Sequence, residues 1–264
     1  MPRDDGPRVT VERRGAVLLM GLDRVAKRNA ADLRMLEELA LAYGELEADD
    51  GLRVGVVFAH GDHFTAGLDL ADIAPRLGAE GLQTVPEGGI DPWRIAGPEP
   101  SKPIVVAVQG TCLTLGIELM LAADIAVAAE SARFAQLEVS RGILPFGGAT
   151  VRFPRAAGWG DAMRWMLTGE TFDAAEALRM GLVQEVVPDG SQLDRAVQLA
   201  ERIAAQAPLA VAATLRNART AARDGEDAAK AALQPALARL AGSEDAAAGM
   251  QAFLARTEAR FTGR

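Results

Sequence analysis

Short apolar runs alternate along this chain with stretches in which apolar residues recur at helical spacing, and the two patterns change over near residue 190. Val9 to Arg13 and Ala16 to Leu22, joined at Arg14 and Gly15, predict two short strands. Asn29 stands where a helix N-cap would, with Asp32 three residues on. Leu33, Leu36, Ala40 and Tyr43 then recur with the helical period, predicting a helix over 30–47 with one apolar face. Val54 to Ala59 is a continuous apolar strand of the kind buried on both faces.

The densest stretch runs from Lys102 to Gly148. Pro103 to Val108 reads as a buried strand, Gln109, Gly110 and Thr111 as a turn, Leu113 to Ala123 as a helix, and Ile125 to Ala128 as another strand. Phe134 to Gly148 reads as a glycine-rich connection. Beyond it the spacing predicts a helix over Gly158 to Leu167. A short helix follows, opened by the Asp173 and Glu176 capping box and ended by Gly181, and then a strand from Leu182 to Val187 stopped by Pro188. Everything after Leu193 is helical in pattern: 191–206, a helix opened by Pro208, 226–240, and 244–256 behind Ser243. The implied architecture is an α/β core over 1–190 and an all-helical region over 191–264, with no clear linker between them. Ile73 to Ser101, rich in glycine and proline, is a loop expected to border a binding site or to be poorly ordered.

Composition narrows the function. The chain has 264 residues, 49% of them hydrophobic, and 27 glycines, enough for a full core with many tight turns. A net charge of -8 offers no basic field for a phosphate backbone, so nucleic acid is not the expected partner. No apolar run reaches the length of a membrane span, and Met1 to Gly15 is charged with no signal-like segment. The single cysteine, Cys112, rules out an internal disulfide, which points to a reducing cytoplasm; among apolar neighbours it reads as a small buried hydrophobe. His60 and His63 could suggest a metal pair, but with no other histidine the site would need carboxylates. The expectation is a polar loop and no metal.

Two carboxylates stand in unusual settings. Glu118 is the only charge within the apolar run Leu113 to Ala123, where burial is costly without compensation; it reads either as a first-turn acid favoured by the helix dipole or as a working group. Glu138 reads either as a loop residue, solvated or paired with Arg133 or Arg141, or as a second working carboxylate. Two strand–turn–helix passages, His60 to Leu70 and Gln109 to Glu118, could each leave a backbone N–H aimed at one oxyanion.

These residues carry a family likeness. KRNA at Lys27, FTAGLD at Phe64, VQGTCLTLGIELMLAAD at Val108, FAQLEVSRGILPFGG at Phe134, TGETFDAAEALRMGLVQEVVP at Thr168 and the ending ARFTGR resemble the crotonase superfamily, most closely its enoyl-CoA hydratases. The resemblance implies a ββα spiral core with a C-terminal helical trimerisation region, assembled as a trimer or hexamer, and an acyl-CoA thioester substrate with no separate cofactor. It places Glu118 and Glu138 on the family's catalytic glutamates and the N–H groups of Ala66 and Leu115 in an oxyanion hole. Ala66, Gly67, Leu68 and Asp69 would line the path of the CoA moiety, and Arg28 or Lys27 would meet its phosphates. Water would add to a 2-enoyl-CoA to give a 3-hydroxyacyl-CoA, as in fatty acid β-oxidation. A Δ3-Δ2-enoyl-CoA isomerase and a low-turnover acyl-CoA-binding subunit are the alternatives. The chain departs from the family pattern at Thr114 and Leu115, where hydratases commonly carry glycine, and at Ile117 and Phe146.

Overall fold

The computed structural model describes residues 6–76 and 84–264. Strands β1 (Val9–Arg14) and β2 (Val17–Leu22) form an antiparallel hairpin, and β3 (Val54–Ala59), β4 (Ile104–Val108), β6 (Ile125–Ala129) and β9 (Glu185–Val187) extend it in parallel. The resulting sheet has six strands in the order β1-β2-β3-β4-β6-β9. A smaller sheet lies beside it, made of β5 (Thr111–Leu113), β7 (Arg133–Ala135) and β8 (Phe172–Asp173). Successive turns of the chain place one strand in each sheet and then a helix: β4, β5 and α3 (Leu115–Ala122) form one such turn, and β6 and β7 begin the next. This is the expected ββα spiral.

The large sheet is covered on both faces, which explains its unbroken apolar strands. Leu18, Met20 and Leu22 of β2 point into the main core with Tyr43 of α1 (Leu33–Ala48), Phe64 and Phe134. Val17 and Leu19 point the other way, with Val54, Val56, Val105 and Val127, against Ala196, Val197 and Ala200 of α7 (Gln192–Ala204). Each fully buried aliphatic side chain in these layers contributes about 1.5–3 kcal/mol. Residue 190 is therefore not a packing boundary: the helix expected over 191–206 belongs to the core layers. The outlying helical region starts after it, with α8 (Pro208–Asp224), α9 (Glu226–Ala241) and α10 (Glu244–Ala255). That region leaves Leu237, Phe253 and Leu254 exposed, whereas Phe261 packs over Gly249. No helix among the described residues is long and apolar enough to cross a membrane.

Several boundaries differ from the expectation for local reasons. Asn29 is not the N-cap of α1: Asp32 caps it, accepting from the Met35 N–H at 3.0 Å while pairing with Arg8 at 3.0 Å and Arg24 at 3.3 Å. Thr111 to Leu113 pair as a strand, so the turn is confined to Gln109 and Gly110 and α3 starts only at Leu115. The glycine-rich connection holds β7 and a 3-10 turn, Glu138–Arg141, and it leads into α4 (Ala149–Ala157). That helix was not among those expected, and Pro154 falls in its last turn. Helices α5 (Trp159–Thr168) and α6 (Ala174–Arg179) stand where expected, and the strand before Pro188 shortens to Glu185–Val187. The short α2 (Leu70–Ile73) follows the first loop. Of the Ile73 to Ser101 stretch, 77–83 lie outside the described residues.

Asn29 has a different task. Buried, with a left-handed φ of 53°, it accepts from the Arg24 N–H at 2.7 Å and donates to the carbonyls of His60 and His63 at 2.9 and 2.8 Å. Its short amide thus ties the loop before α1 to the loop after β3. Asn29→Ala removes three hydrogen bonds and strands a partly buried N–H and two partly buried carbonyls. It should lower stability by about 3 kcal/mol in urea unfolding; a loss under about 0.5 kcal/mol would show that the loops are joined by other means.

Candidate active site

The two strand–turn–helix passages meet side by side. Phe64 and Thr65 donate to Gln109 and Thr111 at 2.9 and 3.0 Å, and Leu113 donates back to Thr65 at 3.0 Å, so the first loop runs as an extra strand along β5. The fit is close: a Cβ on Gly67, whose φ is 92°, would lie 2.2 Å from the Thr114 Oγ1. Neither turn can move without the other.

This docking corrects one expected donor. The Ala66 N–H is already spent on the Arg28 carbonyl at 2.9 Å, so it cannot serve an oxyanion. Two residues on, Leu68 lies between Gly67, whose carbonyl accepts from Ala31 at 2.8 Å, and Asp69, whose N–H donates to Ala31 at 2.9 Å. The Leu68 N–H itself has no partner among the described residues. The Leu115 N–H, first in α3, is likewise uncommitted. The two uncommitted N–H groups beside the cavity are thus those of Leu68 and Leu115, with the positive end of the α3 dipole behind the second.

Leu68, Leu115, Glu118 and Glu138 line one cavity of ≈ 70 Å³, together with Ala66, and its walls include Leu113, Leu137, Ile143 and Phe146. Glu118 is 1% exposed and accepts from the Ala149 N–H at 3.0 Å. Gly147 is pressed against it, since a Cβ there would lie 2.6 Å from Oε2. Burial raises the Glu118 pKa, while the N–H groups of Ala149 and Gly147, the Arg152 charge and the Gly148 N–H pull it back down. Arg152 also fixes that loop, donating to the carbonyls of Gly147 and Arg94 at 3.1 Å each. Glu138 opens the 3-10 turn; its Oε1 accepts from the Gln136 Nε2 at 3.3 Å and its buried Oε2 has no partner among the described residues. Burial lifts its pKa to about 7; its own backbone N–H opposes the shift and the Glu118 charge adds to it.

The remaining expected residues lie around this centre. Gly67 forms the contact with Thr114, and Asp69 is held by Arg24 at 2.7 Å, a hydrogen bond that keeps its carboxyl below the usual range. Lys27 and Arg28 are exposed on the loop that holds Ala66, and they do not line the cavity. Cys112 is buried among apolar neighbours, which pushes its thiol pKa up. The His60 Nε2 contacts the Thr10 hydroxyl at 2.8 Å and the His63 Nδ1 accepts from the Thr111 N–H at 3.1 Å, so both rings are occupied by loop contacts. Sequence reasoning missed Trp93, which is buried and donates to the Leu115 carbonyl at 3.1 Å, and it missed Arg152. The Ile73 to Ser101 loop thus does border the site; its lone tryptophan was the available signal.

The comparisons agree with this geometry. Residues 12–264 match the family model described as enoyl-CoA hydratase/isomerase. An enoyl-CoA hydratase of Mycobacterium tuberculosis is 35% identical, over 99% of this chain and 98% of that protein, and a 2,3-dehydroadipyl-CoA hydratase of Escherichia coli is 37% identical, over 96% and 98%. Among solved structures, a probable enoyl-CoA hydratase/isomerase from Mycobacterium abscessus superposes with a TM-score of 0.95 at 60% identity, covering 97% of this chain and 99% of that one. The chain belongs to the enoyl-CoA hydratase/isomerase family, within the crotonase superfamily, and is an enzyme of that family.

The Glu138 environment has a measurable consequence. Its folded pKa lies above the ordinary carboxylate value, so the folded state binds this proton more tightly than the unfolded chain. The native state is accordingly favoured at low pH and loses that advantage as pH rises from about 4.5 through 7. Glu138→Gln should be more stable than the parent at pH 8, with the difference shrinking by pH 5. Melting temperatures of both proteins at the two pH values check this, and a pH-independent difference would contradict it.

Proposed function

We propose that the protein is a hydro-lyase that adds water across the 2,3 double bond of a 2-enoyl-CoA thioester, giving a 3-hydroxyacyl-CoA. The observation that carries this is the sharing of one small cavity by two buried carboxylates, beside two backbone N–H groups that have no partner among the described residues. Hydratase and dehydratase names recur among the relatives, including a carnitinyl-CoA dehydratase at 34% identity.

In this reading the thioester oxygen lies between the Leu68 and Leu115 N–H groups, which stabilise the charge that develops on it as water attacks C3. Glu118 acts as the carboxylate that takes the water's proton, with the N–H groups of Ala149, Gly147 and Gly148 and the Arg152 charge opposing the rise that burial causes. Glu138, with its pKa near neutrality, supplies a proton to C2 as the enolate collapses. Water's hydroxyl ends on C3, one proton on C2 and one on the Glu118 carboxylate, and exchange with solvent restores both groups. No metal or redox group takes part, and coenzyme A enters as part of the substrate. Arg28, with Lys27 beside it, meets the CoA phosphates from the exposed loop.

Glu118→Gln and Glu138→Gln should each lower kcat for crotonyl-CoA by about 10²-fold or more while KM changes little, and the double variant should fall well short of the product of the two effects. Run in H₂¹⁸O, the parent should place solvent oxygen in the product. An isomerase would instead convert 3-enoyl esters without taking up ¹⁸O and would tolerate Glu118→Gln, and a binding subunit would turn over neither substrate.

The exposed Leu237, Phe253 and Leu254 of α9 and α10 suit a contact with further copies of the chain, and the proposed assembly is a trimer or hexamer. Light scattering at micromolar concentration should give a mass that is a multiple of three chains; a monodisperse monomer would overturn it.

A further inference from the structure

We propose that Arg141 is a subsite for an anionic group on the acyl chain, so that the preferred substrates are short 2-enoyl thioesters ending in a carboxylate. This rests on the hydratase reading above and specifies its substrate class.

Arg141 closes the 3-10 turn that Glu138 opens. Residues three apart eclipse in such a turn, so the Arg141 side chain leaves the backbone on the same side as Glu138, and it lines the same cavity. Among the described residues it is the only cation that does. The other arginines near the site are engaged: Arg24 with Asp69, Arg94 with Asp124, and Arg152 with two carbonyls. Arg141 has neither an ion pair nor a side-chain hydrogen bond among the described residues. Nor is it the partner of Glu138, whose Oε2 remains unpaired.

The rest of the wall decides what such a guanidinium can read. Leu113, Leu137, Ile143 and Phe146 are apolar and the cavity, at ≈ 70 Å³, is small; in this proposal a few methylene groups fill it and the next group along the chain meets Arg141. A long alkyl tail would have to run over a charged fork. A terminal carboxylate would instead match it with two parallel hydrogen bonds. Repulsion from the catalytic pair is reduced, because burial raises the Glu138 pKa to about 7 and part of its population is neutral at that pH. The CoA phosphates are the other anions of the substrate, and Lys27 and Arg28 on a separate loop are available to them.

The test compares esters that differ only at the acyl end. The parent should hydrate the six-carbon diacid ester 2,3-dehydroadipyl-CoA with a kcat/KM about 10-fold or more above that of hex-2-enoyl-CoA, and Arg141→Gln should bring that ratio close to one, chiefly through KM. Arg141→Lys should keep part of the preference. Glutaryl-CoA and butyryl-CoA, which carry no double bond, report binding without turnover: glutaryl-CoA should be the tighter inhibitor of the parent and lose that lead in Arg141→Gln. Equal kcat/KM for the two enoyl esters with equal inhibition by the two saturated ones would overturn the subsite. So would an Arg141→Gln variant that weakens every ester alike, the pattern of an arginine reading the CoA handle. If no enoyl ester is hydrated, the hydratase reading fails, and a preference for glutaryl-CoA would still support the subsite.

Discussion

A carboxylate buried in an apolar helix governs much of the architecture around it. Glu118 sits in α3 between Ile117 and Leu119, where a charge without compensation would cost several kcal/mol. Compensation comes from the start of α4, thirty-one residues away, through the Ala149 N–H, and the approach requires that Gly147 carry no side chain. The loop that makes this approach is itself held by Arg152, which donates to the carbonyls of Gly147 and Arg94, and Trp93 on the Arg94 segment donates its indole N–H to the Leu115 carbonyl. A single carboxylate thus draws together α3, α4 and the segment before β4.

Backbone strain collects in the same place. Among the described residues, Arg28, Asn29, Arg94, Thr114 and Arg256 have left-handed φ without being glycine, and all but Arg256 lie on loops that hold the site. Thr114, at φ 49° and ψ -112°, is the costliest kind, because a β-branched side chain is least at ease there. A conformation of this kind costs about 1–3 kcal/mol and persists where its surroundings leave no alternative. Here they do so, since the Thr114 N–H is bonded to Ala135, its carbonyl accepts from Ile117 and Glu118, and Gly67 is packed against its hydroxyl. The conformation is the one that turns the next N–H, that of Leu115, away from β5 and leaves it uncommitted.

What was legible in the sequence follows from which forces are local. Apolar runs marked β2, β3, β4 and β6 because both faces of the large sheet are buried, and helical spacing marked α1, α7 and α8. The motifs placed Glu118, Glu138 and Leu115 together, and the structure brings all three to one cavity. The donor at Ala66 was misplaced because only tertiary pairing shows which N–H a loop spends on a neighbour, here on the carbonyl of Arg28. Asn29 looked like a cap for a similar reason: an asparagine ahead of a helix reads the same whether its amide serves that helix or two carbonyls thirty residues on. The division at 190 failed because composition cannot tell a helix that covers the sheet from one that stands away from it.

The departures from glycine at 114 and 115 separate backbone chemistry from cavity shape. Leu115 is the first residue of α3 and has helical backbone angles, so its N–H is presented as a glycine's would be and its side chain is free to do something else. That side chain, with Leu113 and Phe146, becomes wall. Oxyanion donation and carboxylate placement depend on hydrogen bonds to the backbone, which tolerate such replacements. The volume left for the acyl chain depends on the side chains themselves. A family can therefore hold its reaction constant while each member redraws the space beyond C3. In this member Leu113, Leu115 and Phe146 draw the walls in, and among the described residues that line the cavity Arg141 is the one cation.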